Sequence, residues 1–257
     1  GATPRPCAGK YSSKAVHMLS GRETLSLDGV GVRLGGFVLS GVTFAVGPGE
    51  VVGLVGHNGS GKSTTFRIIA DLIRPTSGSI TLGDLDHRAD ERAFKRRVCF
   101  VGDNNQTYAG MTVGAVLAFA RRLYPNWDHD WCAQLCDELR LPLDTKVAHL
   151  SAGMRTKLGL VLGFSPRPDV IVLDEPTAGL DGASNEWIWQ VVDRQSVEAG
   201  LAVIVSSHSR DDVAQHCSRV VLLEQGQIID QIDIAGDRAL ARERLEGAMG
   251  RGGGHAR

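Results

Sequence analysis

Three short stretches combine residue types that could handle phosphate and activate water. The first is Gly56-His57-Asn58-Gly59-Ser60-Gly61-Lys62-Ser63-Thr64, which reads G-x-x-x-x-G-K-S. That spacing is the pattern of a nucleotide-binding P-loop. A triphosphate needs many donors at short range. Backbone N–H groups supply them where side chains are absent and φ can turn positive, which is the expected role of Gly56, Gly59 and Gly61. The start of the following helix adds free amides and a positive dipole end. Lys62 would bring a mobile point charge to the β- and γ-phosphates. Ser63 would offer a hydroxyl to Mg²⁺, a hard cation that prefers oxygen ligands.

The second stretch is Val170-Ile171-Val172-Leu173-Asp174-Glu175. Its four apolar residues end in two carboxylates, placed where open α/β sheets put their ligands. Asp174 suits Mg²⁺, directly or through water, and Glu175 suits polarising a water for attack on a γ-phosphate. Ser206-Ser207-His208 ends another apolar run, Leu201 to Val205. His208 is expected to close that strand at the same sheet edge, as a donor toward the γ-phosphate. The third stretch is Ser151-Ala152-Gly153-Met154-Arg155. Ser151 is an N-cap. With the Gly153 amide and a helix start it also makes an anion site, away from the P-loop. Two such sites facing different ways predict that two chains close head to tail across a nucleotide.

The elements that position these groups are legible in outline. Val51 to Val55 reads as a buried strand, and Thr65 to Ile73 as a helix by its apolar spacing. Leu25–Leu27, Val30–Val32, Phe37–Leu39 and Val42–Val46 read as short antiparallel strands. Ser79–Leu82 and Arg97–Val101 are further strands, with a charged helix from Asp90 to Arg97 between them. From Thr112 to Phe164 the pattern becomes helical: a Thr112-capped helix, an amphipathic one over Asp130–Arg140, and a Ser151-capped one. The core then resumes with the strand ending at Glu175, a helix bearing Trp187, Ile188, Val191 and Val192, and later strands at Val220–Leu223 and Gln227–Asp230. The fold class is α/β with a mainly parallel sheet, an N-terminal antiparallel β part and an inserted helical subdomain. The division expected is a flexible leader over 1–22, one nucleotide-binding domain over 23–235, and a C-terminal helix with a disordered tail over 236–257. Within the domain, 23–102 and 166–235 form the core and 103–165 the helical insert. The leader is either vector-derived, ahead of a start at Met18, or a native tail.

Composition narrows the classes. A net charge of −1 provides no basic field for nucleic acid. Every apolar run is broken well before the roughly 20 residues a membrane span needs. The 5 cysteines, Cys7, Cys99, Cys132, Cys136 and Cys217, lack zinc-site spacing and read as reduced, half-buried thiols.

In order, Gly56–Thr64, Leu150–Arg155, Val170–Glu175, Gly179-Leu180-Asp181 and His208 resemble the motifs of the ATP-binding cassette family. They correspond to its Walker A, signature, Walker B, D-loop and switch-histidine motifs, and the likeness spans roughly Leu25 to Ile234. The resemblance implies a RecA-like P-loop core and ATP sandwiched in a dimer of two such subunits, homomeric or paired with a second cassette. It also implies Mg²⁺-dependent hydrolysis coupled to transmembrane permease subunits, on the cytoplasmic face of the membrane. It assigns a D-loop role to Asp181 and contact with the opposite chain's nucleotide to Ser151, Ala152 and Gly153. Leu123-Tyr124-Pro125-Asn126-Trp127-Asp128 resembles a phrase of a narrower group, the bacterial exporter subunits of the YtrB type; aromatic packing explains it equally well.

The sequence departs from the family pattern at three places. Ala152 and Met154 replace the usual Gly and Gln of the signature. The family's Q-loop glutamine corresponds to Asp103 or, after a loop shift, to Gln106; either is a candidate Mg²⁺ or water ligand. The adenine-stacking aromatic falls near Leu34, with Phe37 the nearest ring. Two rivals are carried beside the transporter reading. One is a cassette ATPase acting on DNA or ribosomes, against which stand the single cassette, the lack of heptads and the lack of basic excess. The other is a regulatory module that binds ATP without hydrolysing it, against which stand Glu175 and His208.

Overall fold

The computed structural model describes residues 22–102 and 108–234. Its centre is a six-stranded sheet ordered β10-β9-β3-β8-β7-β6. The strands are β3 (Val51–Val55), β6 (Val98–Val101), β7 (Val170–Asp174), β8 (Ala202–Ser206), β9 (Arg219–Glu224) and β10 (Gln227–Asp233). Pairing is parallel from β9 to β6, and β10 adds antiparallel to β9.

The parallel strands read as unbroken apolar runs because both faces are covered. Alternate side chains go to two separate cores, as the period of two demands. Val51, Val55, Ile171, Leu173, Val203 and Val205 join one, while Val52, Leu54, Val170, Val172, Ala202 and Ile204 join the other. The second core is completed by Phe66, Ile68 and Ile69 of α1 (Lys62–Ile69) and by a smaller antiparallel sheet. That sheet has the order β2-β1-β4-β5. It is built from β1 (Leu25–Leu34), β2 (Phe37–Val46), β4 (Ser77–Leu82) and β5 (Leu85–Asp86). The four short pieces expected between Leu25 and Val46 are in fact two long strands joined at Gly35-Gly36. Register shifts between Leu27 and Val32 interrupt the alternation without ending the ladder.

Between β5 and β6 lies α2 (Glu91–Arg97), capped by Asp90, which accepts from Ala93 N. The helical part holds α3 (Val113–Ala120), α4 (His129–Glu138) and α5 (Ala152–Phe164). Their caps are Thr112, Asp128 and Ser151, each accepting from an amide three residues on. α5 returns to the sheet: a Cβ on Gly163 would lie 2.6 Å from Val101. Thus one end of α5 is set by sheet packing and the other, at Ser151, is presented outward. α6 (Gly182–Ala199) and α7 (Arg210–His216) complete the first core's cover. Among the described residues Cys99, Cys132, Cys136 and Cys217 are buried and unpaired, and no helix is long and apolar enough to cross a membrane. Residues 1–21 of the expected leader, the C-terminal helix and tail, and the loop carrying Asp103 and Gln106 lie outside the described residues; Arg22, the last residue assigned to the leader, pairs with Asp169 at 3.7 Å and so belongs to the folded domain.

Candidate functional site

The carboxyl ends of β3, β6, β7 and β8 share one sheet edge, and the chemically interesting residues gather there. A cleft of about 690 Å³ is lined by Ser63 and Arg67 of α1, Gly102 after β6, Asp174 at the end of β7 and Glu175 just beyond it, and Thr156 of α5. Ser63 and the adjacent Asp174 and Glu175, more than a hundred residues further along the chain, therefore face one space.

The loop from Gly56 to Gly61 is shaped for close approach. Gly59 and Gly61 take φ of 80° and 112°, the left-handed region glycine tolerates. Gly56 is required for a different reason from the one expected, since it is not among the positive-φ glycines. A Cβ there would lie 2.1 Å from Leu223 O and 2.6 Å from Ser60 Oγ. Lys62 Nζ donates to Gly56 O at 2.7 Å and His57 O at 3.2 Å, binding the loop to its own helix. Burial holds the Lys62 ammonium below the ordinary lysine range, against the opposing pull of Glu175 and Asp174. The start of α1 has no side-chain cap. Its first amides are therefore available to an anion, and the Ser63 hydroxyl with the Asp174 carboxylate offers the oxygen donors a hard cation takes. These residues fit a Mg²⁺-bound triphosphate. His57, Asn58 and Gly59 are exposed at the loop's crest.

Glu175 departs from ordinary backbone geometry. Its φ is 51°, uncommon for a residue with a side chain. Ser206 holds it there. Glu175 N donates to Ser206 Oγ at 2.9 Å, and that hydroxyl donates to Asp174 Oδ1 at 2.7 Å. One buried hydroxyl thus fixes the Asp174 carboxylate and the Glu175 backbone. The strand register makes this possible, because Asp174 and Ser206 are direct partners across β7 and β8. His208 lies two residues past the end of β8 rather than closing it. The turn still brings its Nε2 within 2.6 Å of Glu175 Oε1. Both groups are reachable by solvent, with side chains 58% and 33% exposed, so the pair orients more than it stabilises.

Two supports were not apparent from residue types alone. Ser206 is one; its signal was a hydroxyl ending a strand beside Asp174. The other is the β9–β10 turn, where Gln225 and Gly226 both have positive φ, a type I′ hairpin. Gly226 N donates to Ser60 O at 2.9 Å, and Gly226 O accepts from Ser40 N at 2.9 Å. The turn therefore clamps the P-loop to β2. Phe37 also touches this loop: a Cβ on Gly61 would lie 2.9 Å from its ring. Leu34, its cross-strand partner, is 41% exposed at the hairpin end.

Ser151 does not line the cleft. Its hydroxyl accepts from Met154 N at 3.2 Å, and Ser151 and Ala152 are exposed. Gly153 abuts the loop after β7, where a Cβ would lie 2.9 Å from Leu180. Asp181 caps α6 by accepting from Ser184 N at 2.8 Å, and that amide holds its carboxyl below the usual range.

Comparisons with known proteins give the family of this chain. The family model described as ABC transporter matches residues 39–178. YtrB, an ABC transporter ATP-binding protein of Bacillus subtilis (strain 168), is 30% identical over 78% of this chain and 68% of its own length. The methionine import ATP-binding protein MetN of Chlamydia pneumoniae is 32% identical over 79% of this chain, which spans 64% of that relative. A solved ATP-binding subunit of an ABC transporter superposes with a TM-score of 0.78 at 26% identity, covering 88% of this chain and 96% of that one. The chain belongs to the ABC transporter family, as an ATP-binding subunit and an ATPase.

Proposed function

We propose that this subunit hydrolyses Mg²⁺-bound ATP within a head-to-tail dimer and so drives a membrane exporter through permease subunits at the cytoplasmic face. The observation that carries this reading is the division of anion-binding groups. Ser63, Asp174 and Glu175 line one cleft, His208 pairs with Glu175, and Lys62 feels both carboxylates, while Ser151 and Ala152 stand exposed and do not line that cleft. A second chain is what would bring the latter to the former.

Gly56 to Thr64 bind the phosphates through backbone amides and Lys62. Ser63 and Asp174 would hold Mg²⁺, which neutralises phosphate charge; Asp103 or Gln106 is the further candidate ligand. Glu175 takes the proton from the attacking water; the single N–H of His208 Nε2 holds that carboxylate before ATP binds and turns to the γ-phosphate once it is bound. Ser151, Ala152 and Gly153 approach the γ-phosphate from the opposite chain, with Asp181 beside them. Phe37, with Leu34, offers the base a surface next to the P-loop. The likeness of Leu123–Asp128 to the exporter group supports export, and the likeness to MetN supports the import alternative. Uptake against release of labelled solutes in proteoliposomes containing the permease distinguishes the two.

The decisive variant is Glu175→Gln. Phosphate release should fall by roughly 10²–10⁴-fold, the usual worth of a general base. ATP should then accumulate a stable dimer on size-exclusion chromatography. Full turnover in this variant would remove Glu175 as the base, and an ATP-loaded species that stays monomeric would remove the shared site.

A further inference from the structure

Two of the 5 cysteines lie together, and the nucleotide cleft uses neither of them. Cys132 and Cys136 are four residues apart in α4, so they stand one turn above the other on a single helix face. Both are buried, at 8% and 6% exposure. The Cys136 thiol donates to the Cys132 sulfur. That sulfur is also within hydrogen-bonding reach of the Ser165 hydroxyl and the Trp127 side chain. The other described cysteines differ. Cys99 lies in β6 with Tyr124 as its side-chain partner, and Cys217 follows α7 without a thiol partner.

Helix geometry decides what such a pair can hold. Cβ atoms four residues apart on a helix are separated by about 5–6 Å. A disulfide needs them about 3.5–4.5 Å apart. The sulfurs of an intact α4 can therefore touch but not join, and one atom placed between them satisfies both. Thiolates are soft donors and select soft ions such as Cu(I). Zn²⁺ takes three or four protein ligands, and no group of three or more His, Cys, Asp or Glu side chains suited to a metal occurs among the described residues. The set fits an ion content with two ligands. Such an ion between two thiolates leaves a negative charge. Asp128 opposes that charge but is already paired with Arg167 at 2.9 Å. Arg167 and Arg194 both stack on Trp131, the residue before Cys132, at 4.7 and 4.9 Å from the ring centre. Arg194 Nη2 is buried with no hydrogen-bond partner, so the seam between α4 and α6 holds an unpaired guanidinium nitrogen beside Trp131.

We propose that Cys132 and Cys136 bind one soft monovalent cation of the Cu(I) class, bridged between their sulfurs. Two metal–sulfur bonds form, the protons held by the sulfurs are released to solvent, and no oxidation state changes. The site is separate from the nucleotide cleft, whose lining includes neither cysteine, and it stands whether or not the chain drives an exporter.

The test titrates the whole reduced chain with Cu(I) buffered by bicinchoninate under argon. One ion per chain should leave the indicator. Tryptophan fluorescence should be quenched as it does, because Trp127 reaches Cys132. X-ray absorption should count two sulfur neighbours around the copper. In Cys132→Ala and in Cys136→Ala the affinity should fall by more than about 100-fold, beyond the roughly 10–100-fold that losing an outer contact costs. Cys136→Ser, which keeps the side-chain volume, should lose as much. Retained ATP turnover shows that these variants are folded. Cys7→Ser, Cys99→Ser and Cys217→Ser should bind as the parent chain does. Undiminished binding in either alanine variant overturns the proposal, and so does loss of binding in Cys7→Ser. Zn²⁺ held as tightly as Cu(I) overturns the two-ligand assignment. A Cys132–Cys136 disulfide formed with oxidised glutathione, in a chain that takes up no Cu(I) when reduced, overturns the site altogether.

Discussion

Two helix starts in this chain, both assigned to anions in the proposed function, are built in opposite ways. α1 begins at a left-handed glycine with no side-chain cap, and its Lys62 is buried against the loop it follows. α5 begins at Ser151, whose hydroxyl already satisfies Met154 N, and it stands exposed. The first start leaves its amides for a ligand and is braced on several sides, by Gly226, by Leu223 and by the lysine's own bonds. The second is complete as a helix end and needs no ligand to be stable. A half-site that must seize triphosphate alone has to be preorganised, since ordering it on binding would subtract from affinity. In the proposed dimer, a half-site that acts only when another chain arrives can remain a capped surface helix.

The sharpest way to break that contrast is to spoil the preorganised half. Gly56→Ala places a methyl 2.1 Å from the Leu223 carbonyl, backbone that cannot rotate away. The loop must shift, and nucleotide affinity by calorimetry should fall about 100-fold, ~2.8 kcal/mol at 1.4 kcal/mol per tenfold. Unchanged affinity would mean that the cradle geometry is dispensable. Ser206→Ala should have a middling effect. It strips Asp174 of a donor and leaves the half-buried Glu175 amide without its acceptor, a loss of roughly 1–2 kcal/mol in urea unfolding. Turnover should drop about tenfold or more while ATP binding stays near normal, because the hydroxyl aims carboxylates and touches no phosphate. Smallest in the isolated chain is Ser151→Ala. Losing an N-cap costs about 1 kcal/mol. ATP affinity measured on dilute, monomeric chain should not move, whereas turnover at concentrations that favour pairing should fall. A loss of monomer affinity in this variant would erase the distinction between the halves.

Much of this was legible from residue types and periods. The P-loop announces itself because phosphate chemistry allows few residue types at fixed spacing. The buried strands announce themselves because parallel strands covered on both faces must be apolar throughout. Caps at Thr112 and Ser151 were readable because a short oxygen side chain before an apolar helix has one main use. Residue types alone divide the β1–β2 hairpin into fragments because bulges break the alternation that marks a strand, while the hydrogen-bonded ladder continues. His208 was placed on β8 rather than after it, since apolar content cannot locate the last ladder bond.

What the chain's own order determined was the identity of the reacting groups: a lysine and a serine after a glycine loop, two carboxylates after an apolar run, a histidine beyond another. Which of them meet was decided by tertiary structure alone. The pairing of Asp174 with Ser206 across β7 and β8 puts one hydroxyl on the Asp174 carboxylate and the Glu175 amide. The β9–β10 turn reaches back to hold Ser60. Gly56 is glycine because of the Leu223 carbonyl, a residue far along the chain. Each of these is a contact between segments distant in sequence, and residue type and local period carry no information about such contacts until the sheet order is set.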